Sequence, residues 1–492
     1  MVHRRRMALL SGVLLAALSV TACSAGGPTG RSSDAGRPAP APYREDGPTA
    51  AGGDTQTQRD AQSTFGVDVD TASYGYTRRL VRDGRLPRPA EVRPEEFVNS
   101  FRQDYPEPTG DGFAIHTDGS RLPRDAEAPG ETRLLRVGLQ TRSEDPRSRS
   151  DAALTFVVDV SGSMGEPGRL DLVQDALHTL VDQLRPTDSI AIVEFSDEAR
   201  VVREMTRVSD ARALHDAVDA LHTRSSTNLE AGLTLGYRVA RDGFRAGGTN
   251  RVIVLSDGLA NVGSTDAEPI LRRVRAEAEK QIAMLGVGVG SEYGDQLMEQ
   301  LADRGDGFAV YVSDLGQARK VFVEQLPATL TVRALDAKVQ VTFEKDTVRS
   351  YRLVGYDNRA IADEDFRDDR VDGGEVGPGH SVTALYEVRL ADGAKASARA
   401  ARVQVRWADP RTREPAETYA SVSVADLDRD FAEASARLRT CYAAAWFAQA
   451  LREDRPAHLD GLATIADRAA ADTDDGDVRE LGRVIRAADE LS

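Results

Sequence analysis

The sequence predicts an α/β fold: a doubly wound, mainly parallel sheet flanked by a β-sandwich-like domain and a C-terminal helical segment. Three observations predict it. From Ala153 to about Leu326, strand-like and helix-like periods alternate, as in a parallel sheet covered by helices on both faces. After Leu326 the hydrophobic period changes to two, the mark of antiparallel strands. From about Phe431 the chain turns helical and rich in alanine.

The elements follow in order. Leu154 to Val160 is a continuous apolar run, as expected of a strand buried on both faces. Leu170, Val173, Leu177, Leu180 and Leu184 then recur at helical spacing. Ser189 to Phe195 and Ala199 to Arg203 read as strands, joined around Ser196-Asp197-Glu198 in the one antiparallel pair expected of this sheet. Helices are expected over Ser209–Leu221, Leu229–Arg241, Ala267–Lys280, Asp295–Arg304 and Leu315–Leu326. Strands are expected over Arg251–Leu255, Ile282–Val289 and Phe308–Val312. Thr331–Phe343, Arg349–Val354, Ser381–Leu390 and Arg402–Trp407 alternate as antiparallel strands. Leu459–Ala471 and Val478–Leu491 close the chain as helices. Upstream, Tyr74–Arg82 and Glu95–Phe101 read as short helices and Thr132–Thr141 as a strand. That strand directly precedes the parallel sheet and four strands directly follow it. The sheet is therefore expected to be inserted between two parts of one β-rich domain.

The formal net charge is −16, which argues against a nucleic acid partner, because phosphate binding needs a basic face. The N-terminus reads as an address. His3-Arg4-Arg5-Arg6 is a positive n-region, and Met7 to Val20 is an apolar h-region short for a membrane span. Val20-Thr21-Ala22-Cys23 then resembles a bacterial lipobox, in which the cysteine is diacylated and becomes the first residue of the mature chain. An ordinary signal peptide with an incidental cysteine is the alternative. Residues 1–22 are thus expected to be a lipoprotein signal peptide. Residues 23–62 would be the lipidated Cys23 and a disordered tether rich in glycine and proline. The protein would be extracytoplasmic and touch a bacterial cell membrane through its lipid anchor only. Cys441 is left without an obvious partner and reads as a small buried hydrophobe in a helix, with an intermolecular bridge or a reactive thiol as the alternative.

The chemistry-bearing residues cluster at predicted strand ends. The first strand of the sheet runs into Asp159-Val160-Ser161-Gly162-Ser163. Open α/β sheets bind ligands at the carboxyl ends of their strands, and an acid with two hydroxyls offers the hard oxygens that suit Mg²⁺ or Mn²⁺. Thr227, just before a helix, could cap it and also offer an oxygen; Asp257 ends the next long strand on the same edge. Helix capping after strands is the plainer reading of the same residues.

With these pieces in order, the chain resembles the von Willebrand factor A family over roughly Asp151 to Leu326. That family carries a metal-ion-dependent adhesion site written D-x-S-x-S, then Thr, then Asp. The resemblance assigns Asp159, Ser161, Ser163, Thr227 and Asp257 to that site. It implies Mg²⁺ or Mn²⁺ held directly by the two serines, with Asp159 and Asp257 supplying charge directly or through water. It further implies a protein ligand whose acidic side chain completes the metal's shell. A swap of Asp257 for that carboxylate would be relayed through the last helix, near Leu315 to Leu326. Ser225-Ser226 departs from the glycines that many relatives carry before the Thr. The stretches Phe65 to Tyr74, Gly355 to Ala360 and Val382 to Glu387 resemble the flanks of a bacterial lipoprotein subfamily with this domain. The organisation expected is therefore 63–150 as N-terminal flank, 151–327 as the A-type domain, 328–425 as a β-rich C-terminal flank and 426–492 as helices.

Other readings stand beside this one. A hydrolase would need a nucleophile elbow, but Ser161 stands where G-x-S-x-G requires glycine, and neither H-E-x-x-H nor G-x-x-x-x-G-K-[ST] occurs. A structural envelope protein with a purely stabilising metal is the third reading. Asp68 and Asp70 favour a helix N-cap over a second metal site. His215 and His222, seven apart on a predicted helix, favour a solvated face over a metal pair. The acidic run Asp363 to Glu375 favours a solvated loop over a Ca²⁺ site, since its spacing fits no EF-hand.

Overall fold

A computed structural model describes residues 54–492 except 124–131, 145–148, 258–266, 279, 290–297, 299–300, 303–304, 306, 313, 320, 323–331, 372, 411 and 454–458. Cys23, the signal segment and most of the tether lie outside the described residues, as do most of Asp295–Arg304 and the end of Leu315–Leu326.

The chain enters through β1 (Thr55–Gln56) and β2 (Gln62–Gly66), then α1 (Ala72–Arg82), α2 (Pro94–Asn99), β3 (Phe113–Arg121) and β4 (Thr132–Thr141). The A-type segment follows: β5 (Ala152–Asp159), α3 (Leu170–Gln183), β6 (Ser189–Phe195), β7 (Ala199–Arg207), α4 (Ala211–Asp219), α5 (Leu229–Asp242), β8 (Thr249–Ser256), α6 (Ala267–Ala278), β9 (Ile282–Val289), β10 (Phe308–Val312) and α7 (Leu315–Arg319). Next come β11 (Leu335–Phe343), β12 (Val348–Val354), β13 (Ser381–Leu390), β14 (Arg399–Ala408), β15 (Pro415–Ser423), α8 (Val424–Leu427), α9 (Ala436–Arg452), α10 (Asp460–Thr473) and α11 (Gly476–Asp489).

The A-type sheet has the order β10-β9-β8-β5-β6-β7, parallel except for the β6–β7 pair. Its two faces are filled by alternate residues of the same strands. On one face Leu154, Phe156 and Val158 of β5 pack with Val173, Leu177 and Leu180 of α3 and with Leu214 and Val218 of α4. On the other face Val157, Val193, Val252 and Val254 meet Leu233 and Tyr237 of α5 and Ile270 and Leu271 of α6. Gly232 and Gly236 let α5 lie close to the sheet: a Cβ there would come within 2.7 Å of Phe195 and 2.3 Å of Val157. The doubly wound architecture expected from the alternation is thus present.

The flanks form one β-sandwich around the A-type domain. One sheet runs β1-β12-β13-β4-β3 and the other β15-β14-β11-β2. β4 lies before the A-type segment and β13 after it, yet they pair from Ser381↔Gln140 to Arg389↔Thr132. β2 and β11 do the same, from Lys338↔Gly66 to Thr342↔Gln62. The A-type domain is therefore inserted into the sandwich, as the position of Thr132–Thr141 predicts. The core between the sheets holds Phe65, Val137, Val341, Phe343, Tyr386 and Val403. Residues of α9, α10 and α11 form a further core with α1 and α2, in which Phe97 meets Phe447 edge-on with ring centroids 5.9 Å apart. Cys441 of α9 is buried as expected, and its thiol donates to Gln103 Oε1 at 3.1 Å.

The structure corrects several expectations. The chain is ordered into strands before Ser63: β1 pairs with β12 through Thr55↔Tyr351, and Gln62 opens β2. β3 is not legible in the sequence, because its half-exposed residues break the alternation; its place follows from pairing with β4. Asp70 does not cap α1. The cap position is Thr71, whose side chain makes no capping bond, while Asp70 reaches across to the A-type domain. Arg359 lies against both Asp68 (3.3 Å) and Asp70 (3.4 Å), so a cationic side chain already occupies the place a second metal would need. The acidic run is likewise no solvated loop: Asp363 accepts from Thr64 at 2.6 Å, Asp369 pairs with Arg406, and the buried Lys338 donates to the carbonyls of Asp365 and Asp368.

Candidate metal centre

The site lies where β5 and β8 end. Strand β5 runs into Asp159, and the next residues leave the sheet as a tight turn. The Ser161 amide donates to Asp159 Oδ1 at 2.8 Å, and Ser256 Oγ, at the end of β8, donates to Asp159 Oδ2 at 2.6 Å. Both oxygens of this fully buried carboxylate are thereby oriented. Burial pushes its pKa up to about 6, against the lowering effect of the bonds from Ser256 and Ser161. A positive charge placed nearby would favour the ionised form of this carboxylate.

Three oxygens then form a short chain. Ser161 Oγ lies 3.1 Å from Ser163 Oγ, and Ser163 Oγ donates to Asp257 Oδ1 at 3.0 Å. Neighbouring ligands on an octahedron with Mg–O arms of about 2.1 Å stand about 3.0 Å apart. The spacing of these three oxygens therefore fits the edges of a Mg²⁺ or Mn²⁺ shell, and the donor set is hard oxygen throughout. Asp159, with both oxygens committed to protein donors, is suited to supply charge and orientation from behind.

The loop with Thr227 is held to the same edge. Arg224 donates its amide to Val160 O at 2.6 Å and its Nε to the buried Glu194 at 2.9 Å, and the Asn228 amide donates to Ser196 O at 2.6 Å. Thr227 is buried beside these anchors. The residue that caps α5 is Asn228 rather than Thr227: the Asn228 side chain accepts from the Ala231 amide at 3.0 Å. Ser226 has a φ of 65°, in the left-handed region that favours glycine, which gives the Ser225-Ser226 departure a physical meaning.

Sequence reasoning missed Arg169. Its guanidinium is buried, forms an ion pair with Asp257 Oδ2, donates to Ser163 O at 3.1 Å and pairs with Glu166 at 2.6 Å. A fixed cation thus sits beside the Asp257 carboxylate. Its one sequence signal is position: it directly precedes α3, six residues after Ser163. Among the described residues no three or more His, Cys, Asp and Glu side chains gather as a metal cluster, so an ion held here would have to draw on the serine hydroxyls.

Comparison with known proteins agrees with this architecture. Residues 153–324 match the von Willebrand factor type A domain model, residues 49–130 a model described as von Willebrand factor, and residues 328–491 the C-terminal model of the uncharacterized protein YfbK. Residues 153–324 therefore carry the match to the von Willebrand factor type A domain, and the segments on either side match models of their own. The chain is similar to the uncharacterized protein YfbK of Escherichia coli (strain K12), at 35% identity over 70% of this chain and 60% of that protein. It is also similar to the uncharacterized protein sll0103 of Synechocystis, at 27% identity over 40% of this chain and 46% of that one. The chain thus spans about half of the length of these two relatives. A solved von Willebrand factor type A protein from Catenulispora acidiphila covers 74% of this chain and 88% of its own, with 18% identity and a TM-score of 0.47.

Proposed function

We propose that the A-type domain binds Mg²⁺ or Mn²⁺ through Ser161, Ser163 and Asp257, with Asp159 and Thr227 behind them, and through that metal a protein ligand offering a carboxylate. The observation that carries this reading is the row of hard oxygens at Ser161, Ser163 and Asp257, spaced 3.1 and 3.0 Å apart over a buried Asp159. The metal, when bound, would supply a positive centre able to take an acidic side chain in place of water. This chain's residues hold the oxygens in place, and the reading is of a binding protein rather than an enzyme. Calorimetry with MgCl₂ on the full-length protein and on Asp159→Ala tests it: binding in the parent and its loss in the variant are expected, and equal binding would overturn the site. A metal-dependent pull-down from envelope extracts, parent against Asp159→Ala, then tests the ligand. If a chelator lowers stability but leaves every interaction unchanged, the metal is structural only.

The same reading has the protein outside the cytoplasm on a bacterial membrane, anchored by Cys23. Its support is the n-region, h-region and lipobox-like residues alone. Among the described residues no helix is long and apolar enough to cross a membrane. Cys23→Ser is expected to move the protein to the soluble fraction or leave its signal uncleaved; a processed variant still held in the membrane would overturn the anchor.

A further inference from the structure

Away from the site, α3 and α4 bring four titratable side chains into one row. His178 and Asp182 lie four apart on α3, and His215 and Asp219 four apart on α4. The pairing crosses between the helices. His178 Nε2 lies 3.1 Å from Asp219 Oδ1, His215 Nε2 lies 3.2 Å from Asp182 Oδ1, and the two Nδ1 atoms face each other at 2.7 Å. His222, the partner suggested by spacing, instead bonds the carbonyl of Leu221. Gln174 Nε2 donates to Val218 O at 3.0 Å along the same interface, so the two helices are fixed against each other.

The row is short of one cation. It contains three hydrogen-bond contacts in series. Two neutral imidazoles bring one N–H each, and a carboxylate brings none. When each Nε2 donates to its aspartate, both Nδ1 lone pairs are left facing each other at 2.7 Å. A cation must stand between or beside them: either a third proton or a metal ion. Histidines whose outer nitrogen is held by a carboxylate are the arrangement that orients imidazole toward a metal and raises its basicity.

We infer that His178 and His215 form a two-histidine clip for a divalent transition metal of Zn²⁺ type, with Asp219 and Asp182 orienting the rings and water completing the shell. Two imidazole nitrogens on a tetrahedral Zn²⁺ with arms of about 2.0–2.1 Å stand roughly 3.3 Å apart. The Nδ1 atoms therefore need to open by about 0.6 Å, and the two rings, now 24° apart in plane, to turn so that both lone pairs meet at one ion. Both histidine side chains keep 29% of their surface exposed, which leaves room for entry and for water ligands.

The test uses the full-length protein without a polyhistidine tag, titrated with ZnCl₂ in excess MgCl₂. One Zn²⁺ equivalent is expected in the parent. Its affinity should fall at least tenfold in His178→Gln and in His215→Gln, and by about tenfold in Asp182→Asn. Asp159→Ala should keep it, which separates this clip from the metal centre at the strand ends. Co²⁺ in place of Zn²⁺ should give tetrahedral visible absorption that the histidine variants lack. Circular dichroism checks that the variants fold. Zn²⁺ binding equal in the parent and the folded histidine variants, or absent from the parent, would overturn the clip and leave a shared proton as the occupant.

Discussion

The carboxylate of Asp70 accepts a hydrogen bond from the backbone amide of Ala309 at 2.7 Å, joining the segment before α1 to strand β10 of the A-type sheet. Its other oxygen lies 3.4 Å from Arg359, which also meets Asp68. Phe65 packs on Tyr356 beside them, with ring centroids 4.7 Å apart. The flanking stretches around Phe65–Tyr74 and Gly355–Ala360 thus meet in space, and their meeting point holds the inserted domain.

Asp70→Ala would leave the buried Ala309 amide unsatisfied, at a cost of about 1–3 kcal/mol. Arg359→Ala would take a shared cation from two buried carboxylates, for which roughly 3–5 kcal/mol is expected. Urea unfolding of the two variants measures both losses. A change below about 0.5 kcal/mol in either would show that the junction is not structural.

Arg169 is paired with Asp257, so under the proposed metal site it would compete with the ion for that carboxylate. Arg169→Gln removes that cation, so Mg²⁺ affinity should rise by about tenfold, or ~1.4 kcal/mol. The metal-free variant should also be less stable than the parent, and added MgCl₂ should raise its melting temperature by more. Calorimetry and thermal melts with and without MgCl₂ read the two effects. Weaker Mg²⁺ binding in the variant would mean that Arg169 supports the site rather than competing with it.

Ser226 holds a left-handed backbone conformation that costs an ordinary residue roughly 1 kcal/mol. Ser226→Gly should relieve that strain and raise stability by up to about 1 kcal/mol, less the extra freedom that glycine brings to the unfolded chain. Denaturant midpoints decide it, and a destabilised variant would show that the Ser226 side chain contributes more than its backbone costs.

Glu95 gives a pH signature. Burial and the neighbouring Asp68 charge raise its pKa from the usual 4.5 to about 7. A Cβ at position 355 would come within 2.2 Å of its Oε2, so the close approach of this carboxyl requires Gly355. The folded state holds this proton more tightly than the unfolded state does. The resulting stability is full below about pH 4.5 and is lost as pH rises through about 7, by about 3 kcal/mol at most. Glu95→Gln should flatten that part of the stability profile and gain over the parent at about pH 8. An unchanged slope between those two pH values would assign it to other groups.

Much of the A-type domain is legible in the sequence because its signals are local. The apolar run of β5, the spacing of Leu170 through Leu184 and the D-x-S-x-S turn each lie within a short window. Such windows also put Asp159, Ser161, Ser163 and Asp257 at strand ends. Local pattern alone is therefore enough for the sheet, its helices and the chemical types at its edge. The cross-pairings needed the folded chain: Arg169 on Asp257, Asn228 rather than Thr227 as helix cap, His178 on His215, and Asp70 on Ala309. The physical reason is that periodicity reports which face of an element is buried, whereas a side chain's partner depends on how distant elements are brought together.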